Sequence, residues 1–180
     1  FVPVDKMAAD GYGQYLYLFT SDVNAPDKEI AYLAGGCFWG VEQILRKVPG
    51  VLDTEVGYTG GTTKNPAYTD IKKGTTGHAE AIKIVFDRNR ISYEDLLGYF
   101  FRLHDPTTLN RQGNDVGTQY RSEIFYLTEQ QKKTAENVMK AVDSSGKWSK
   151  PVVTKLSKAD VFYPAEDYHQ DYLVLQPDGY

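Results

Sequence analysis

A segment that reads as a strand runs into Gly35-Gly36 and turns at once into a helical pattern, with the chain's single cysteine, Cys37, at the junction. No other feature constrains the fold as much. Residues 29–34 give the short strand, and the two glycines supply a tight turn. Val41, Ile44, Leu45 and Val48 then recur at helical spacing, which predicts a helix over 37–48. Pro49-Gly50 ends it. Residues 51–58 read as a second strand, and the strand–helix–strand order suggests a βαβ-type unit.

The rest of the chain continues the alternation. Residues 60–66 are a loop by their turn residues, and 78–87 alternate as a strand. Ser92 and Asp95 form a capping-box signature for a helix carrying Leu96, Leu97, Phe100 and Phe101, which stops before Pro106. A long polar loop is expected over 105–119 and a strand over 121–127. A second capping box at Thr128 and Gln131 starts a helix to about Val142. A last strand is expected over 152–156, with a short helix after Pro164. The sum is a mixed α/β sheet with helices packed on it.

The 180 residues suffice for one domain with a full core and are too few for two comfortable ones. A net charge of −4, with no basic cluster, argues against nucleic acid or an anionic membrane as the main partner. No apolar run reaches the roughly 18 residues of a membrane helix. One cysteine excludes an internal disulfide and any cysteine-cluster metal site. Residues 1–28 lack the apolar stretch of a signal peptide and read as an N-terminal extension or linker. The compartment is left open between the cytoplasm and a bacterial cell envelope.

Chemistry points first to Cys37. A lone cysteine is most often an inert buried thiol. At a helix N-terminus, however, it faces unpaired N–H groups and the positive end of the helix dipole. Both favour the thiolate, which is the reactive form. Glu80 is the second candidate. In a strand it shares a face with His78, Ile82, Ile84 and Phe86, three of the four large and apolar. Burial there raises a carboxyl pKa and makes a proton donor near neutral pH; the alternative is a strand-end glutamate that reaches water.

The other polar candidates are weaker alone. His78 reads as a turn or hydrogen-bonded histidine, His104 as a helix-end residue that complements the dipole, and His169 as part of a polar stretch. Three scattered histidines do not make a metal site. Asp115 lies in the long loop, where function and local capping are both open. Tyr68 and Tyr120 taken singly read as packing residues. Phe38 and Trp39 open an amphipathic helix, so core packing is their default role.

Gly36-Cys37-Phe38-Trp39-Gly40 resembles the signature of the A-type peptide methionine sulfoxide reductases. So, in order, do Val56-Gly57-Tyr58-Thr59-Gly60-Gly61, Gly77-His78-Ala79-Glu80-Ala81, His104-Asp105-Pro106-Thr107-Thr108, the run from Gln112 through Gly117-Thr118-Gln119-Tyr120 to Ser122, and Ala165-Glu166-Asp167-Tyr168-His169-Gln170-Asp171-Tyr172-Leu173. The resemblance covers residues 29 to 180.

It implies a single α+β domain, a two-layer α/β sandwich around a mixed sheet. It implies reduction of the S epimer of methionine sulfoxide, free or in proteins, in the repair of oxidised proteins. Cys37 would be the nucleophile and Glu80 the acid. Tyr68 and Tyr120 would hydrogen-bond the sulfoxide oxygen. Phe38 and Trp39 would form the apolar pocket for the S-methyl group, and Asp115 would help position substrate. Cys37 would be left as a sulfenic acid, reduced later by thioredoxin or another thiol, with no metal or cofactor.

Most family members carry a resolving cysteine that commonly follows a Gly-Tyr step like Gly179-Tyr180. The expectation is that the sequence stops just before it; a one-cysteine form reduced by an outside thiol is the alternative. A domain excised from a fusion with a B-type reductase would also fit. Two other functional classes stay open on the residues alone. One is a cysteine hydrolase or acyltransferase using Cys37, His78 and Asp115, although no glycine lies two residues after Cys37 as in a nucleophile elbow. The other is a redox-sensing or methionine-peptide-binding module.

Overall fold

The structure is a computed structural model that describes residues 27–178. Residues 1–26, most of the expected extension, and the Gly179-Tyr180 step lie outside the described residues. Lys28 already belongs to the first strand, β1 (Lys28–Gly35). Helix α1 (Phe38–Leu45), strand β2 (Val51–Thr59), helix α2 (Tyr68–Lys72) and strand β3 (Ala79–Asp87) follow. Then come α3 (Tyr93–Leu103), β4 (Arg111–Gln112), β5 (Asp115–Val116), a 3-10 turn (Thr118–Tyr120) and β6 (Ser122–Tyr126). The chain closes through α4 (Glu129–Ser144), β7 (Lys155–Lys158), β8 (Tyr163–Pro164), a second 3-10 turn (Asp167–His169) and α5 (Tyr172–Leu175).

Six strands form one sheet in the order β7-β6-β1-β3-β2-β8. The β6–β7 pair is parallel and the others are antiparallel, so the sheet is mixed, as expected. The βαβ-type unit is split. β1 and β2 are both antiparallel to β3, which lies between them, so they run parallel without touching.

Both expected helix caps form, though only the hydroxyl half of each box is made. The Ser92 hydroxyl accepts the N–H of Asp95 at 3.0 Å, and that of Thr128 accepts the N–H of Gln131 at 3.1 Å. The main core lies between the sheet and α1, α3 and α4. It contains Leu33, Val56, Ile82, Ile84, Phe86, Leu96, Leu97 and Phe100. Each fully buried side chain of this size contributes about 1.5–3 kcal/mol. On the opposite face Ala34, Ala79, Ala81 and Phe125 form a smaller cluster under Tyr32, Ala159 and Phe162. There Phe162 comes so close to β2 that a Cβ on Gly57 would lie 2.4 Å from its ring. β3 is therefore covered on both faces except at Lys83 and Asp87, not on the one face that its alternation suggests.

Three expectations are corrected in detail. The polar loop over 105–119 holds a small hairpin, β4 with β5, because Asn110 and Gly113 take left-handed backbone at φ 51° and 58°. The segment after the 60–66 loop forms the short helix α2, which the sequence reading left unassigned. The strand expected over 152–156 starts at Lys155, three residues later, and is not the last, since β8 follows it. Among the described residues no helix is long and apolar enough to cross a membrane.

Candidate active site

Antiparallel pairing brings the candidates to one end of the sheet. Cys37 follows the C-terminal end of β1, and Glu80 is the second residue of β3, which runs the other way. Tyr68 lies beyond the C-terminal end of β2, and Tyr120 stands two residues before β6 begins. These four strands are neighbours in the sheet, so residues far apart in sequence converge.

Cys37 occupies the N-cap position of α1 with non-helical backbone and is half-buried. Gly36 makes the turn possible. Its φ is +105°, and a Cβ there would lie 2.8 Å from Gln112 Cγ. The N–H groups of Trp39 and Gly40 pull the thiol pKa down, as the helix N-terminus should. They are outweighed. Burial, then the charge of Glu80, pushes the thiol up to about 12. The expectation that position alone favours the thiolate at Cys37 is thus corrected.

Glu80 is only 2% exposed, and its Oε1 accepts the N–H of Phe38 at 3.1 Å. Burial pushes its carboxyl up to about 8, against the pull of that N–H and with help from the charge of Asp115. Tyr68 and Tyr120 are half-buried. Burial, Glu80 and Cys37 hold the Tyr68 phenol up at about 12, and Tyr120 is raised by burial and then by Glu80. Asp115, in β5, acts on all four groups through its charge. Cys37, Glu80, Tyr68, Tyr120 and Asp115 thus share one electrostatic environment.

The aromatic pair behind Cys37 splits its duties. Phe38 is 1% exposed and packs its ring on Tyr58 and His169, with centroids 5.7 and 5.2 Å apart. Trp39 is half-buried, and its ring stacks on Tyr172 at 3.8 Å and 11°. The indole N–H donates to His169 Nδ1 at 2.9 Å. Indole nitrogen only donates, so in the neutral imidazole the proton sits on Nε2. That Nε2 is buried without a hydrogen-bond partner, and burial lowers the His169 pKa. His169 is fully buried among Phe38, Trp39, Tyr68 and Tyr168, although its stretch of sequence is polar. Sequence reasoning missed it, although the resemblance motif contains it.

The other histidines take structural places. His78 is buried, with Nδ1 accepting the N–H of Gly61 at 2.9 Å and Nε2 donating to the Thr63 carbonyl at 2.6 Å. With both ring nitrogens tied to that loop, it offers no free base to Cys37, and the hydrolase arrangement does not assemble. His104 donates from Nδ1 to the Phe100 carbonyl at 2.7 Å, while Nε2 lies 2.7 Å from the Ser122 hydroxyl. Burial pulls its pKa down to about 4, so it is neutral and adds no cation to the helix end. A groove of about 810 Å³ between α3 and α4 contains none of the site residues.

Known proteins share this arrangement of sequence and fold. The family described as peptide methionine sulfoxide reductase matches residues 29–180. The peptide methionine sulfoxide reductase MsrA of Nocardia farcinica is 52% identical over 154 residues, which cover 86% of this chain and 88% of that protein. The crystal structure of Mxr1 from Saccharomyces cerevisiae in reduced form superposes with a TM-score of 0.82 at 34% identity, covering 87% of this chain and 90% of Mxr1. A structure of Mxr1 in complex with Trx2 shares the fold at a TM-score of 0.58 and 24% identity, covering 82% and 87%. On the extent of the family match and the identity to a curated member, the chain belongs to the peptide methionine sulfoxide reductase family.

Proposed function

We propose that this chain reduces the S epimer of methionine sulfoxide, free and in proteins, by attack of Cys37 on the sulfoxide sulfur. The observation that carries the reading is a buried carboxyl, Glu80, bonded to the N–H next to the only cysteine and poised near neutral pH. A sulfoxide oxygen is a poor leaving group until protonated, so a thiol nucleophile needs an acid beside it.

The electrostatics select the working protonation state. Cys37 and Glu80 oppose each other's negative charge, and burial disfavours two anions there. With Glu80 protonated, its charge no longer adds to the burial that holds the thiol up, and the N–H groups of Trp39 and Gly40 work against that burial in the thiolate's favour. Sulfoxide sulfur carries partial positive charge and draws the sulfur electron pair. Glu80 gives its proton to the sulfoxide oxygen. Tyr68 and Tyr120, whose raised pKa values keep their hydroxyls protonated, donate hydrogen bonds to it.

Attack forms a bond between Cys37 Sγ and the substrate sulfur; that bond then breaks with its electron pair going to methionine, while an S–O bond is lost from the substrate sulfur and one forms at Cys37. Methionine leaves, and Cys37 becomes a sulfenic acid, oxidised by the two electrons that methionine gains. Two thiols from an outside reductant then restore it, ending as a disulfide and water. A thioredoxin-type protein is the proposed reductant; the fold shared with Mxr1, captured with Trx2, supports it. Trp39 forms the accessible wall for the S-methyl group, Phe38 the floor beneath it, and Asp115 tunes and positions the polar side. The reductase domain takes in β1 from Lys28, one residue before the expected 29, and runs on to 180, with the residues before it as a linker. Cys37→Ser tests the reading: methionine formation falls to the uncatalysed level, and activity retained by that variant overturns it.

A further inference from the structure

The segment 165–172 crosses the edge of β2 and the face of α1, and side chains fasten it at several points. Glu166 accepts the Tyr58 hydroxyl at 2.8 Å and the N–H of Tyr68 at 2.9 Å. The Gln170 amide pairs with Val56 as a backbone would, accepting its N–H and donating to its carbonyl, each at 2.9 Å. The third attachment is a charge cluster. Trp39 and Glu42 lie on α1 and Arg46 caps it, and spacings of three and four keep them on one face. Asp171 adopts left-handed backbone at φ 56°, which non-glycine residues seldom do. Its N–H donates to Glu42 Oε1 at 3.0 Å, and its Oδ1 accepts Arg46 at 2.7 Å. Arg46 also reaches Glu42 at 3.1 Å, and Glu42, with no exposed surface, accepts the Thr54 hydroxyl at 2.9 Å.

None of these three groups belongs to the chemical steps above, yet the segment they hold touches Trp39 twice. Tyr172 stacks on the indole and His169 takes its N–H. We propose that Glu42, Arg46 and Asp171 form a positioning anchor for the substrate pocket, holding segment 165–172 so that His169 and Tyr172 fix the Trp39 indole as the wall beside Cys37. This rests on the reading of Trp39 as that wall. The anchor acts through Trp39 and not on the sulfoxide, so its loss affects how often the pocket is formed, not the reaction once substrate is bound.

The test uses a Trp148→Phe background, in which Trp39 is the sole tryptophan of two. Arg46→Met removes the ion pairs. Asp171→Gly keeps the left-handed turn and the N–H to Glu42 but removes the carboxylate. If the pocket is formed about a tenth of the time, the sulfoxide concentration giving half the maximal single-turnover rate rises about tenfold. The saturating rate stays within about twofold, and Trp39 emission shifts in both variants. Asp171→Asn, which keeps the turn and an acceptor, restores most of the affinity and the emission. The double variant is no worse than the worse single one, because the carboxylate contact that Asp171→Gly removes is already broken by Arg46→Met. Should Arg46→Met fail to fold, Arg46→Lys, which loses the two-pronged contact, still shifts the emission.

Unchanged half-saturation and emission in folded variants overturn the anchor. So does loss of the saturating rate at unchanged half-saturation, or full additivity of the two substitutions. Emission is read without substrate. A wild-type protein that reduces no sulfoxide would therefore defeat the functional reading while the anchor is still judged by emission.

Discussion

At Cys37 two opposing effects meet: the helix N-terminus favours the thiolate, while burial and the Glu80 carboxylate favour the thiol and win. Glu80→Gln removes the competing charge and the acid together. Its expected signature is therefore double. The first step slows about 10²- to 10⁴-fold, as for loss of a general acid, while alkylation of Cys37 by iodoacetamide moves to lower pH. In the wild type the first step declines as pH rises through about 8, where Glu80 loses its proton, and that limb disappears in Glu80→Gln. A full single-turnover rate in the variant would remove Glu80 as the acid.

Stability follows the same sign. Glu80 holds its proton more tightly folded, at about 8, than its ordinary value of 4.5. Its contribution is fully present below about 4.5 and is lost as pH rises through about 8. Glu42, raised to about 8 chiefly by burial, has the same direction. The alkaline fall in the thermal midpoint should be shallower in Glu80→Gln; an unchanged slope would place the ionisation elsewhere. The burial of Glu80 was legible because a period of two puts it with Ile82, Ile84 and Phe86. The burial of Glu42 was not, because its partner Asp171 is 129 residues away.

Among the elements, the turn from β1 into α1 is the most exacting. Gly36→Ala would force a side chain into positive φ and against Gln112. A cost of about 1–3 kcal/mol is expected in denaturant unfolding, with a slower first step because Cys37 moves with the turn. Unchanged stability would mean that the turn relaxes freely. Sequence periodicity showed this junction, both capped helices and the long strands, since each carries several repeats of its pattern. It could not show β4, β5 or β8, which have two residues each and no period to detect. Nor does element order reveal that β3 inserts between β1 and β2; that follows from long-range pairing such as Leu33 with Ile82 and Val56 with Ile82.

For the whole molecule, the sheet order explains how a site is made from five distant stretches. Adjacent antiparallel strands deliver Cys37, Glu80, Tyr68 and Tyr120 to one end, and the closing segment returns to put His169 and Tyr172 on Trp39. Four of these stretches, those of Cys37, Glu80, Tyr120 and the closing segment, carry resemblance motifs, so most of the site could be named before its geometry was seen; Tyr68 lies outside the motifs. The folding back of the last segment could not, because its anchors are single side chains.

The central claim is that oxygen passes from one sulfoxide epimer to Cys37. It is tested by mixing reduced protein with an excess of each epimer, without reductant, counting methionine per Cys37 and trapping sulfenic acid for mass spectrometry. The account requires about one methionine from the S epimer alone, with the adduct on Cys37. Methionine from the R epimer, or none from either, would contradict it.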